Sequence, residues 1–174
     1  MHDPALSTAQ HRELIEALAL SHVLPHDTLP VEECLGRRLA VDVLSLIPLP
    51  PFTNSAMDGF AVRREDLAGE GPWTLPVAGD IPAGDTRDNR LEKGQAWRIM
   101  TGAPIPQGAD TVVKVEHTDH AAGVAQAPAT VEIRVAPKLG ENVRVAGEAL
   151  EAGSPVLKAG RILDGTALSA AASV

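Results

Sequence analysis

Apolar positions along the chain follow two rhythms. Leu14, Ala17, Leu18 and Ser21 recur at helical spacing, with Glu13 and Glu16 outside them, which is the pattern of an amphipathic helix. Ahead of them, Ser7-Thr8-Ala9-Gln10 has the S-x-x-Q form of a capping box, in which side chains at both ends satisfy free backbone amides. The spacing predicts a helix over Thr8–Ser21, closed off by Pro25, with an apolar stripe that needs a partner surface. After residue 37 the apolar positions come mostly in short alternating runs, the period of half-buried strands. Such runs lie at 38–46 (Leu39, Val41 and Val43 on one face), 60–62, 74–77, 96–100, 111–116 and 131–135, with a short one at 156–157. In 111–116, Val113 and Val115 take one face; Val112, Lys114 and Glu116 take the other.

Gly, Pro and Asp punctuate these runs. Pro30 stands at the favoured first position of a short helix over 31–35, with Gly36 as its stop. Residues 63–67 read as one helical turn, and Ala78-Gly79-Asp80 as a turn. Residues 81–89, with Asp85, Arg87 and Asp88, read as a solvated polar loop, and 121–130 as a mobile Ala/Gly loop. Asp164 is the N-cap of a last helix, with Leu168, Ala171 and Ala172 on its apolar face. The expected fold class is mixed α+β and strand-rich.

Composition narrows the picture. Aromatic residues make up 2%, so the core is built from Val, Leu, Ile and Ala, while Gly 15 and Pro 14 imply many turns. Fifteen basic against 23 acidic residues leave a net charge of -8, which argues against a nucleic-acid partner. The single Cys34 excludes an internal disulfide and a cysteine metal cage, and reads as a small packed hydrophobe. No apolar run approaches the roughly 18 residues of a membrane span, and His2-Asp3 does not open a secretory leader. The expectation is a cytoplasmic protein with no membrane partner.

Candidate chemistry gathers on two loops. Prolines 48, 50 and 51 stiffen the approach to Asp58-Gly59, after which the chain turns apolar. The stretch presents one carboxylate just before a strand, on a tight Asp-Gly turn. A plain structural turn explains the same residue types. Thr101-Gly102-Ala103 is small enough to let a ligand reach the backbone, and its N–H groups suit an anion; it lacks the G-K-[ST] of a nucleotide-binding loop. His117 and His120 lie near Glu116 and Asp119, a spacing open to metal ligation but more often simply exposed. No nucleophile with a base and an orienting group is visible.

The motifs PLPPFTNSAMDGFAVR, AGDIPAG, RIMTGAPIPQGADTVV with Glu116, and GENVRVAGEAL resemble, in order and spacing, those of the molybdopterin molybdenumtransferase family, the bacterial MoeA type related to the gephyrin E domain. The resemblance implies an elongated homodimer. Residues 1–26 would be an N-terminal helical segment. Residues 27–47 and 142–165 would form an extended dimerisation subdomain, with a β-rich subdomain over 48–141 inserted between them. Residues 166–174 would begin an α/β subdomain that is cut short. The implied reaction transfers molybdenum from molybdate to adenylated molybdopterin with release of AMP, and Mg²⁺ as cofactor. Asp58 and Thr101 would be catalytic, Asp58 also the Mg²⁺ ligand, and the Thr101 N–H region an oxyanion holder. Ser55, Gly102, Arg144 and Glu148 would bind substrate. The chain departs from the family pattern at Ala149, where an acid is usual. On this reading the chain alone is not catalytically competent; the alternative is a non-catalytic dimerisation or interaction module of the same family.

Overall fold

The computed structural model describes residues 6–22, 25–121, 123 and 126–174. The readings at the start of the N-terminal segment, just beyond the first helix and within the 120s loop fall partly outside these residues. The described elements are helix α1 (Thr8–Ser21) and strands β1 (Val43–Leu44), β2 (Asn54–Ser55), β3 (Gly59–Val62), β4 (Trp73–Ile81), β5 (Ala96–Ile99), β6 (Thr111–Lys114), β7 (Thr130–Ile133), β8 (Val143–Arg144) and β9 (Pro155–Leu157), then helix α2 (Gly165–Ala172). Single 3-10 turns occupy Val31–Glu33, Arg64–Leu67 and Val115–His117. The molecule is thus strand-rich α+β, as expected.

The central feature is a five-stranded sheet in the order β6-β3-β5-β4-β7. Only β4 and β5 run parallel; the other neighbours are antiparallel. β3 sits between β5 and β6 and is buried on both faces. Its alternation divides the core. Phe60 and Val62 join Leu75, Val113, Val115, Val131 and Ile133 in one cluster. Ala61 joins Ile81, Ile99, Ala103 and Val112 in another. The predicted division of Val113 and Val115 from Val112 therefore holds, although Val115 already belongs to the turn after β6.

Two short pairs lie outside the sheet. β2 pairs with β8 (Asn54 opposite Arg144, Ser55 opposite Val143), and β1 pairs with β9. Bridges from Arg38 to Ile162 and from Leu49 to Leu150 extend this antiparallel run. At its far end Leu157, Leu163 and Ala167 form a separate small core with Cys34, Leu39 and Val43. Cys34 is thus the packed hydrophobe expected of it. Asp164 caps α2 by accepting from the Ala167 N–H at 2.7 Å. Ala171 and Leu168 face the small core as predicted, whereas Ala172 is exposed.

Several expectations are corrected. The run at 38–46 keeps only two residues of ladder, Val43 and Leu44, and its pairing with β9 shifts register between them. The helix over 31–35 is one 3-10 turn. Ala78-Gly79-Asp80 is not a turn: β4 continues through it, with a register shift against β5 between Val77 and Asp80. Gly79 is there because the Trp97 ring crosses it, and a Cβ would come within 2.5 Å of that ring. Gly59 has the same logic. It does not take the positive φ of a tight turn; instead an added Cβ would lie 1.9 Å from the Val113 carbonyl oxygen across the β3–β6 pair. The two glycines mark close approach, not reversal of the chain. Helix α1 matches its predicted span and its capping box, with Gln10 N–H to Ser7 Oγ at 3.3 Å and Ser7 N–H to Gln10 Oε1 at 2.9 Å. Every residue of it is exposed, the Leu14 and Leu18 stripe included.

Because Gly59 meets backbone and not a flexible side chain, Gly59→Ala has no cheap relief. It is expected to cost about 2–3 kcal/mol or more, read as a lower midpoint in urea unfolding of the chain.

Candidate functional site

The sheet register places the candidate residues. Phe60 of β3 lies opposite Arg98 of β5, and Arg98 opposite Asp80 of β4. Side chains two apart share a face, so Asp58 and Met100 continue the Phe60 and Arg98 sides just beyond the ends of β3 and β5. The Asp58 carbonyl accepts from the Val115 N–H at 3.0 Å, which fixes the backbone of the approach loop against the end of β6.

The Asp58 carboxylate is tied to the neighbouring loop by two hydrogen bonds to one oxygen. Thr101 donates its N–H at 2.7 Å and its hydroxyl at 2.6 Å, both to Asp58 Oδ1. These bonds, the hydroxyl first and then the N–H, hold the Asp58 carboxyl below the ordinary aspartate value. Partial burial opposes them, and the Arg98 charge adds to them. Arg98 is itself well anchored: its guanidinium donates to the Gly123 carbonyl at 2.7 Å and stands 3.5 Å from Asp80 Oδ1. Asp58, Gly59, Phe60, Arg98, Met100 and Val115 line a pocket of about 220 Å³ that His120 also borders.

Asp58 and Thr101 are therefore brought together, but the Thr101 loop does not offer free amides. The Thr101 N–H goes to Asp58, the Gly102 N–H to the Ser55 carbonyl at 2.8 Å, and the Ala103 N–H to the Met100 carbonyl at 3.0 Å. Ser55 is fully buried, and its hydroxyl donates to the Met57 carbonyl at 2.6 Å. Ser55 and Gly102 thus brace the loop that carries Asp58. Arg144 is exposed on β8, opposite Asn54. Glu148 is exposed and accepts from the Val145 N–H at 3.0 Å. Neither lines the pocket beside Asp58. Ala149, where the family pattern carries an acid, has an exposed side chain and donates its N–H to the Leu49 carbonyl at 3.0 Å.

Sequence reasoning passed over Arg98, Phe60 and His120 as pocket residues. The available signal was Arg98, a charge inside the otherwise apolar strand Ala96–Ile99. His120 is not simply exposed. Its Nε2 lies 3.0 Å from the Thr130 carbonyl, which can only accept, so Nε2 carries the proton; its ring rests 5.7 Å from that of Phe60. The loop at 81–89 is a self-contained tie: Arg87 donates to both oxygens of Asp85 and to the Asp80 carbonyl. Those bonds hold the Asp85 carboxyl far below the ordinary range. Among the described residues no three His, Cys, Asp or Glu side chains converge as a metal cage, and no helix is long and apolar enough to cross a membrane.

Comparison with known proteins bears on this site. The family model described as "MoeA N-terminal region (domain I and II)" matches residues 6–174. The chain is 44% identical over 150 residues to molybdopterin molybdenumtransferase 2 of Mycobacterium tuberculosis, covering 84% of the chain and 36% of that protein. It is 38% identical over 173 residues to the molybdopterin molybdenumtransferase of Synechococcus elongatus, covering 97% of the chain and 41% of that protein. Two crystal structures of the molybdopterin biosynthesis MoeA protein of Pyrococcus horikoshii align with TM-scores of 0.75 and 0.80 at 29% and 31% identity. They cover 84% and 94% of this chain, and 38% and 41% of their own. The chain therefore spans well under half the length of the relatives it matches.

The Asp58–Thr101 bonds give a signed pH dependence. A carboxyl whose folded pKa is lowered stabilises the fold above its unfolded pKa of about 3.9, and that contribution is lost as pH falls through the folded pKa. Thr101→Val, which removes the hydroxyl donor and leaves the N–H, is expected to move the Asp58 carboxyl titration upward, read by carbon-13 NMR. The stability difference between the parent chain and Asp58→Asn is expected to shrink as the pH falls below about 4.

Proposed function

The chain belongs to the MoeA family through its N-terminal region, domains I and II, and on that premise we propose that it is the N-terminal part of a molybdenum insertase of molybdenum cofactor biosynthesis. In this reading, residues 27–47 with 142–165 form the extended subdomain, 48–141 the inserted β-rich one, and 166–174 open the next. The reaction joins adenylated molybdopterin and molybdate, places molybdenum on the dithiolene sulfurs and releases AMP. The observation that carries the reading is the ionised Asp58 carboxylate, pinned by two donors from Thr101 in the lining of a pocket.

The chemistry of the residues assigns their roles. Asp58 presents a carboxylate held by two Thr101 bonds to Oδ1, and Oδ2 would be the acceptor it offers to substrate. Such a carboxylate orients water or a donor group of the substrate without rearranging during reaction. Thr101 acts here as the positioning partner of Asp58. Ser55 and Gly102 support the same loop from beneath, through the bond between the Gly102 N–H and the Ser55 carbonyl. Arg144 and Glu148 lie on the exposed segment after β8 begins, where they would meet the phosphate-bearing part of the substrate as counter-charge and acceptor.

A Mg²⁺ ion fits this arrangement in one way. Among the described residues no multi-carboxylate cage exists, but Mg²⁺ is commonly held by one or two carboxylates, with water and substrate phosphates completing its octahedron. Asp58 would be that ligand, through Oδ2. When bound, the ion neutralises charge on the adenylate phosphates. Asp58 would hold it beside the pocket it lines, and the nearby Arg98 charge would add to the stabilisation of the carboxylate.

A second reading, a dimerisation module that is not itself catalytic, draws on the exposed apolar residues. Leu14 and Ile15 are each 56% exposed and Leu18 is 73% exposed on α1; Leu46 is 84% exposed beyond β1. Such surface favours a covering partner, and a second copy of the chain is the proposed one. The two readings are compatible within a larger homodimeric enzyme.

In a full-length polypeptide of the family carrying this region, Asp58→Asn is expected to lower molybdenum transfer by about 100-fold or more, the scale of losing a preorganised electrostatic group, with circular dichroism unchanged. Cofactor yield equal to the parent's would remove Asp58 from the site. The chain alone, supplied with adenylated molybdopterin, molybdate and Mg²⁺, is expected to release no AMP above background.

A further inference from the structure

The residues just before Asp58 are held from two directions. Ser55 is locked to the loop after β5: its N–H donates to the Ala103 carbonyl at 3.0 Å, and its carbonyl accepts from the Gly102 N–H at 2.8 Å. Its hydroxyl reaches forward to the Met57 carbonyl at 2.6 Å. The Ala56 N–H leaves that loop and donates instead to the Asn142 carbonyl at 2.9 Å.

Asn142 combines two properties at that contact. Among the described residues it is the one non-glycine with a positive φ, at 60°, a conformation that asparagine tolerates better than most side chains. Its side-chain amide donates from Nδ2 to the Val112 carbonyl at 2.8 Å, while the Glu141 carbonyl beside it accepts from the Val112 N–H at 3.0 Å. Val112 lies on β6, the edge strand next to β3. Glu141 and Asn142 therefore satisfy both polar backbone groups of Val112, one with backbone and the other with a side chain. Val143, which follows, pairs with Ser55. A line of bonds thus runs from the sheet edge through Asn142 to Ala56, two residues before Asp58. The residue type follows from these demands. Glycine would take the same backbone but give the Val112 carbonyl no donor. Aspartate would turn an acceptor toward a group that can only accept. Alanine would lose the donor and be strained at this φ.

We propose that Asn142 is a positioning residue for Asp58, tying Ala56 to the edge strand β6 so that the carboxylate meets both Thr101 donors. Its effect on reaction rests on the function proposed above; its hold on the Asp58–Thr101 pair does not.

Asn142→Gly keeps the backbone conformation and removes the side-chain tie. It is read in the 174-residue chain by NMR, after circular dichroism has shown that the variant folds. The reporter is the Thr101 amide proton, which is bonded to the Asp58 carboxylate; in the variant it is expected to move upfield and to exchange faster. Leu157→Ala is the reference. It opens the separate small core, lowers the unfolding midpoint, and is expected to leave the Thr101 amide at its parent shift. The parent chain gives a second reading that needs no variant: the Ala56 amide is expected to exchange as slowly as that of Val112. In a full-length polypeptide of the family carrying this region, Asn142→Gly is expected to lower kcat for molybdenum transfer about tenfold or more with KM little changed, the cost of a slightly misplaced group. The inference is overturned if the Ala56 amide exchanges freely in the parent, if a folded Asn142→Gly chain keeps the parent Thr101 shift, if Leu157→Ala moves that shift as far, or if transfer falls with Asp58→Asn but not with Asn142→Gly. Transfer indifferent to both variants, with the Thr101 shift moved by Asn142→Gly alone, supports the tie and overturns the function proposed above instead.

Discussion

The paired hydrogen bonds from Thr101 to one oxygen of Asp58 are what the site depends on. They join the loop before β3 to the loop after β5, two segments 43 residues apart in sequence. The junction is reliable because everything under it is rigid. β3 is buried on both faces, Gly59 fits against Val113 with no room for a side chain, and the Val115 N–H fixes the Asp58 carbonyl. A carboxylate on a flexible loop would average over directions. This one is set by backbone on one side and by two donors on the other.

The same row of residues explains how the charge is tolerated. Phe60, Arg98 and Asp80 lie side by side across three strands, so a guanidinium stands behind the carboxylate without entering the core. Arg98 in turn is balanced by Asp80 and by a loop carbonyl. The two Thr101 bonds keep Asp58 ionised, with a smaller help from Arg98, and Asp80 and the loop carbonyl keep Arg98 in place. The sheet thus delivers a compact polar edge on an apolar floor, which is the usual composition of a small-molecule site.

Much of this was legible in the sequence, and the exceptions have physical causes. The capping box of α1, the cap of α2 and the alternation in β6 are local signals, and local hydrogen bonds decide them. The family membership was carried by long motifs in order, Asp58 and Thr101 among them. Gly59 and Gly79 misled because a glycine that relieves crowding looks the same as one that reverses the chain; only the neighbours Val113 and Trp97, distant in sequence, tell them apart. Alternation at 38–46 reads as a longer strand because it says nothing of where the pairing with a distant partner loses register. The Thr101 loop suggested free amides, but which acceptors reach those amides is a tertiary matter: Asp58, Ser55 and Met100 take all three. Arg98 and His120 went unread as pocket residues for the same reason, since the sheet register brings them to Asp58.

We propose that Asp58 and Thr101 act as one unit at a site of molybdenum transfer. A double-mutant cycle of Asp58→Asn and Thr101→Val, measured as molybdenum transfer to adenylated molybdopterin in a full-length polypeptide of the family carrying this region, tests it most directly. The account predicts strong non-additivity, with the double variant no slower than Asp58→Asn alone, because Thr101 works through the carboxylate it holds. Losses that multiply independently, or a Thr101→Val variant as active as the parent, would contradict it.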